Sequence, residues 1–164
     1  MPPIWRLGWG GRIKGETGKL TTMSKVYVLN GANLGRLGSR QPEVYGATTH
    51  EALAQHLVET GVGLGLEVFV RQSDDEATMI RWLHEAADEG AAVVINAGAW
   101  THYSYAIADA AALVCRYVEV HISNVHAREE FRSHSVLSAK AAGIIIGCGV
   151  GGYDLALAHL AATA

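Results

Sequence analysis

The sequence predicts an α/β domain, a doubly wound five-stranded parallel sheet with helices on both faces. Short apolar runs alternate with longer amphipathic stretches, and capping residues or glycines punctuate the joins between them. The bulk composition agrees. A chain of 164 residues fits one domain with a sizeable core, and 49% hydrophobic against 18% charged residues is the balance of an ordinary globular protein.

Each element has its own warrant. Val26, Tyr27, Val28 and Leu29 make the first strand. Thr48 and Glu51, at capping-box spacing, open a first helix whose apolar positions include Leu53, Leu57 and Val58, and Gly61, Gly63 and Gly65 close it. Residues 66–71 form a second strand. Ser73 and Glu76 offer a second capping box ahead of Met79, Ile80, Leu83 and Ala87. A third strand over 91–95, a third helix over 106–113, a fourth strand over 116–120, a fifth over 144–146 and a closing helix over 153–161 complete the series. Strands that alternate with helices need long crossovers, so the sheet is parallel and covered on both faces. Right-handed crossovers then give a flavodoxin-like order, 2-1-3-4-5.

Two polar clusters lie where such a sheet binds ligands, outside the carboxyl ends of its strands. After the first strand, a Gly-rich loop carries Asn30, Asn33, Arg36, Arg40 and Tyr45. After the fourth come His121, Ser123 and Asn124, then His126, Arg128 and Arg132. Gly-rich loops with such side chains have little role in a core and tend to carry function.

Several classes are set aside. A net charge of -3 gives no basic excess for nucleic acid or an anionic membrane. No run approaches the roughly 20 apolar residues that span a bilayer. Residues 1–22, Gly-rich and without apolar period, lack the hydrophobic region of a signal peptide and read as a disordered extension before a single α/β domain over 23–164. Cys115 and Cys148 lack CxxC spacing and read as reduced, mostly buried thiols, which favours the cytoplasm. Residues 147–152 satisfy GxGxxG after a strand, but the chain ends before an acidic residue could hold a ribose, and close helix-sheet packing is the better reading. Residues 15–20 only suggest a phosphate loop, and His84-Glu85 lacks the following His of a zinc helix. No metal or cofactor is expected. His50, His56, His84 and His159 read as solvated or half-buried surface residues, whereas His102 and His121 each follow a strand at its carboxyl end.

The ordered blocks carry a resemblance. Asn30-Gly31-x-Asn33-Leu34, Leu37-Gly38, Arg40-x-Pro42 and Tyr45-Gly46 are followed by Arg71-Gln72-Ser73, Ile95-Asn96-Ala97-Gly98, Thr101-His102, residues 119–124 (Glu-Val-His-Ile-Ser-Asn) and Arg128-Glu129-x-Phe131-Arg132. In this order they resemble the type II 3-dehydroquinate dehydratase family over about residues 24–160. Ala32 stands where the family usually has Pro, Gln41 where it often has Glu, and Trp100 and Tyr103 replace commoner residues near the pocket. Ala32 should cost loop rigidity.

The resemblance implies anti elimination of water from 3-dehydroquinate through an enolate, in the shikimate pathway to chorismate. Tyr45 is then the base. A phenol with a pKa near about 10 is a poor base at neutral pH, and the Arg40 guanidinium on the same loop favours the phenolate. Asn33, through a held water, is the enolate stabiliser, and His121 is the acid that protonates the departing hydroxyl. Glu119, two residues earlier on the strand, shares the face of His121 and can orient it. Substrate contacts carried over are Asn96, His102, Ile122, Ser123 and Arg132, with the carboxylate on the Ile122 and Ser123 amides. Asp109 matches a residue that reaches a neighbouring subunit's site, in a homododecamer built as a tetramer of trimers. Arg128 is either a further contact or a surface charge. Two alternatives stay open: a flavodoxin-like binding or regulatory protein without catalysis, and the same reaction in quinate catabolism.

Overall fold

The computed structural model describes residues 23–39 and 47–164. The extension over 1–22 and the loop residues Arg40 and Tyr45 lie outside the described residues. Five strands, β1 (Ser24–Asn30), β2 (Leu66–Gln72), β3 (Ala92–Asn96), β4 (Tyr117–His121) and β5 (Gly143–Ile146), form one sheet in the order β2-β1-β3-β4-β5. All of its pairings are parallel. The sheet is therefore the doubly wound, flavodoxin-like one that the alternation of elements predicts.

The period of two along each strand divides the core into two layers. Val26, Val28, Val94, Val118 and Val120 face α1 (His50–Gly63) and α4 (Gly151–Ala162), which supply Leu53, Leu57, Tyr153, Leu157 and Leu160. Tyr27, Leu29, Val93, Ile95 and Tyr117 face α2 (Glu76–Asp88) and α3 (Tyr105–Ala111), which supply Met79, Leu83, Ile107 and Ala110. A five-residue strand such as β3 is buried along its whole length, as a strand covered on both faces must be.

Helix starts differ in detail from the sequence reading. The cap of α1 is Thr49, whose hydroxyl accepts from Ala52 N, so the capping-box reading at Thr48 is off by one residue. Asp75 caps α2 by accepting from Thr78 N, while Ser73 Oγ accepts from Asp75 N and shapes the approach. A carboxylate outcompetes a hydroxyl for the helix amides because a charged acceptor makes the stronger bond. Val58, counted among the apolar positions of α1, is exposed. The third helix is shorter than expected and begins at Tyr105, where buried Ser104 caps it.

Candidate active site

A cavity opens at the carboxyl ends of β1, β3 and β4, and its walls come from both polar clusters. The ends of β1 and β3 approach closely enough that a Cβ on Gly31 would lie 2.5 Å from the Ala97 carbonyl oxygen. Only glycine permits that approach, and it brings Gly31 N within 2.8 Å of Asn96 O. Two residues on, Asn33 adopts the left-handed conformation at φ 70°, the one positive φ outside glycine among the described residues. Asn tolerates this region better than most residues. Its amide donates to Asp74 Oδ1 at 2.7 Å, which also accepts from Gln72 Nε2. The Asn33 side chain does not cap its own turn, and the residue lines the cavity.

On β4, Glu119 and His121 share a face as their spacing requires. Glu119 is 1% and His121 7% exposed. His121 Nε2 donates to Glu119 Oε1 at 2.7 Å, so Nδ1 is the ring nitrogen not committed to the carboxylate. Ser135 Oγ donates to the same carboxylate oxygen at 2.8 Å and Ser138 Oγ to Oε2 at 2.6 Å. Burial by itself raises the Glu119 carboxyl, but the bonds from His121, Ser138 and Ser135, and the charge of His121, outweigh it and hold the group below its ordinary range. A carboxylate whose folded pKa is depressed stabilises the fold above its unfolded value and loses that contribution as pH falls through the folded one. Glu119→Gln is therefore expected to lose about 1–3 kcal/mol at neutral pH, one donor then facing an amide NH₂. In denaturant titrations the gap between variant and wild type should narrow below about pH 4.3. A gap independent of pH would mean that the carboxyl is not ionised in the fold.

Opposite His121 stands His102, with ring centroids 6.4 Å apart and planes 16° from parallel. Its Nδ1 donates to His134 O at 2.7 Å, and burial lowers its pKa, aided by the charges of His121 and Arg132 against the pull of that carbonyl. The neutral ring thus offers Nε2 as an acceptor. Phe131 meets the His102 ring edge-on, and the Arg132 guanidinium lies 4.8 Å from the Phe131 centroid with its Nε on Glu129 at 2.6 Å. Arg128 reaches Ser123 Oγ at 3.3 Å and lines the cavity. It is a wall of the site, which the sequence left open between contact and surface charge. The turn at 147–152 packs against the end of β4: Gly147 N donates to His121 O and Gly149 N to Ile122 O, both glycines having positive φ. At Gly152 an added Cβ would press on Ile145 at 3.3 Å, which is the close helix-sheet packing expected of this segment.

The structure thus gathers Asn33, Asn96, His102, His121, Ile122, Ser123 and Arg132 around one cavity, with Glu119 behind His121. Asp109 is not among its walls and lies exposed on α3. Trp100 packs into the core and Tyr103 is exposed, so neither shapes the lining. Cys115 and Cys148 are exposed, which corrects the reading of buried thiols: each sits at an element end where no helix covers it. The sequence also missed Asp74, Ser135 and Ser138, whose roles arise only when distant segments meet. Among the described residues the lining holds Arg36, Arg128 and Arg132 and no carboxylate, an electrostatic fit for an anionic ligand. Among the same residues, no group of three or more His, Cys, Asp or Glu stands where it could hold a metal, and no helix is long and apolar enough to cross a membrane.

A family model described as dehydroquinase class II matches residues 24–161. The chain belongs to the class II dehydroquinase family. It is 63% identical over 141 residues to a 3-dehydroquinate dehydratase of Salinispora tropica, covering 85% of this chain and 99% of that protein. It is 55% identical over 140 residues to the namesake of Mycobacterium leprae, at 85% and 97% coverage. Among solved structures, the type II dehydroquinase of Propionibacterium acnes superposes with a TM-score of 0.83 at 56% identity, covering 85% of this chain and 97% of that one. Membership makes this family chain an enzyme, a hydro-lyase.

Proposed function

We propose that this chain dehydrates 3-dehydroquinate to 3-dehydroshikimate by anti elimination through an enolate. The observation that carries the reading is the buried Glu119–His121 pair facing a cavity whose described walls are cationic and free of carboxylates. Such walls suit a substrate with one carboxylate and several hydroxyls. Dehydrating a β-hydroxy ketone needs a base for the proton alpha to the carbonyl, a group for the enolate oxygen and an acid for the departing hydroxyl.

Family membership supports giving these roles to Tyr45, Asn33 and His121. Tyr45, ionised with the help of Arg40, takes the alpha proton, and the electron pair moves onto the carbonyl oxygen. Asn33, fixed in its left-handed turn by Asp74, supports that oxygen through a held water. The enolate then expels the β-hydroxyl, which leaves as water with a proton from His121 Nδ1, while Glu119 keeps the other ring nitrogen protonated. Asn96, His102, Ile122, Ser123 and Arg132 hold the substrate, its carboxylate on the Ile122 and Ser123 amides, with Arg132 and His102 addressing ring hydroxyls. No metal or cofactor is needed for any step. The flux served is the shikimate pathway to chorismate, in the cytoplasm, with residues 23–164 as the single catalytic domain.

The test of the stereochemistry uses 3-dehydroquinate deuterated at one or the other alpha position. Only the deuterium anti to the leaving hydroxyl should be lost and should slow the reaction. Loss of the syn deuterium would contradict the proposed anti elimination.

The exposed position of Asp109, off the cavity of its own chain, supports a role in a neighbouring subunit of a homododecamer. Asp109→Ala and His121→Ala chains, each inactive alone, should regain part of the activity when subunits exchange. Verified mixed oligomers without recovery would mean that Asp109 acts within its own chain or not at all.

A further inference from the structure

Behind the cavity, on the sheet face opposite Glu119, a chain of side-chain hydrogen bonds joins Asn96 to residues that the proposed reaction does not use. Gly98 N donates to Asn96 Oδ1 at 3.3 Å. Asn96 Nδ2 donates to Tyr153 Oη at 2.9 Å, Tyr153 Oη donates to Asn30 Oδ1 at 2.6 Å, and Asn30 Nδ2 meets His50 Nε2 at 3.1 Å. The series runs from the end of β3 through α4 and the end of β1 to the first residue of α1. Tyr153 and Asn30 are wholly buried and Asn96 nearly so.

The direction of every bond follows from one end. A backbone amide can only donate, so Gly98 fixes the Asn96 amide with Oδ1 toward it and Nδ2 toward Tyr153. Tyr153, whose phenol pKa burial pushes up, keeps its proton and donates its O–H to Asn30 Oδ1. Asn30 must then present its NH₂ to His50, and Nε2 must be the acceptor. Burial lowers the His50 pKa and favours the neutral ring that this requires. Reversing any single bond would leave two donors or two acceptors face to face where water is excluded, at the cost of a buried unmade bond.

We propose that His50 is a positioning residue for the substrate-binding side of the cavity, accepting at Nε2 and, through Asn30 and Tyr153, holding the Asn96 amide in place together with Gly98 N at the other end. The inference rests on the reading of Asn96 as a substrate contact. With one N–H and one lone pair spent on Tyr153 and Gly98, Asn96 keeps one of each for a ligand, in an order that the chain of bonds determines. Remove the acceptor, and Asn30 and Tyr153 can reverse, setting the Tyr153 proton against the Asn96 NH₂, so that the amide presented to substrate is held only by the 3.3 Å bond from Gly98 N.

Two measurements on the full chain test this. Nitrogen-15 NMR of histidine-labelled protein, with the His50 signal assigned by its loss in His50→Gln, should report a bare Nε2 and a protonated Nδ1 at neutral pH. A protonated Nε2 overturns the proposal whatever the protein catalyses. In steady-state turnover of 3-dehydroquinate, His50→Leu should raise KM about tenfold with kcat within about twofold, the pattern of lost uniform binding. His50→Gln, whose side-chain oxygen reaches the place of Nε2, should return KM to within about threefold of wild type. Tyr153→Phe cuts the chain in its middle and decides the matter if His50→Leu does not fold; it should raise KM alike, and the double variant should be no worse than either. An unchanged KM in His50→Leu or Tyr153→Phe, or a Gln variant as impaired as Leu, overturns the positioning role. A wild-type chain without turnover would instead sink the functional reading and leave the NMR result to judge the hydrogen-bond direction.

Discussion

His121→Ala is expected to lower kcat for 3-dehydroquinate by about 10²–10⁴-fold, the range for removing a positioned general acid, with KM little changed. The acid acts on the departing hydroxyl, so its contribution is made in the transition state and not in substrate binding. The fold should survive the change, because Glu119 keeps Ser135 and Ser138 as donors and stays satisfied. Thermal unfolding of the variant beside steady-state kinetics separates the two effects. Weakened binding at an intact catalytic rate would show that His121 is a substrate contact and not the acid.

The second large effect belongs to the base. Tyr45→Phe and Arg40→Ala should each abolish measurable turnover, and the double variant should cost little more than either alone. The reason is that a phenol does not act as a base until a cation ionises it, so the two residues work as one unit and their losses do not add. Both lie outside the described residues, and the expectation comes from the family's pattern together with the electrostatics of a phenol beside a guanidinium. Near-wild-type turnover in Tyr45→Phe would sink the assignment. Fully additive losses would separate Arg40 from the ionisation of Tyr45.

Much of this molecule is legible in its sequence because the signals are local. Val26 and Val28 against Tyr27 and Leu29 already divide the core into its two layers, and the i, i+2 spacing of Glu119 and His121 already puts the pair on one face. Of the glycines at 147–152, Gly152 makes the close helix-sheet contact that the sequence suggests, whereas Gly149 and Gly151 face open space. Caps were harder, since Thr48 and Thr49, or Ser73 and Asp75, compete within one turn, and only the backbone decides which side chain meets an amide. What could not be read are partners brought together by the fold. Ser135 and Ser138 lie 16 and 19 residues from the carboxylate that they support, and Asp74 is 41 from the amide that it pins. His50 looked like one more half-buried helix residue, and its bond to Asn30 exists only because α1 returns across the end of β1. The exposure of Cys115 and Cys148 is illegible for a related reason: proximity to a strand does not say whether the chain covers that end.

That this cavity dehydrates 3-dehydroquinate with its own side chains can be checked by following the absorbance of a conjugated enone after adding 3-dehydroquinate to the purified chain, dialysed against a chelator, with His121→Ala as the paired control. Absorbance should rise in the wild type without any added cofactor or metal and stay near the uncatalysed rate in the variant. A flat trace from folded wild-type protein would rule out dehydration by this cavity, and an equal rise from His121→Ala would rule out His121 as its acid.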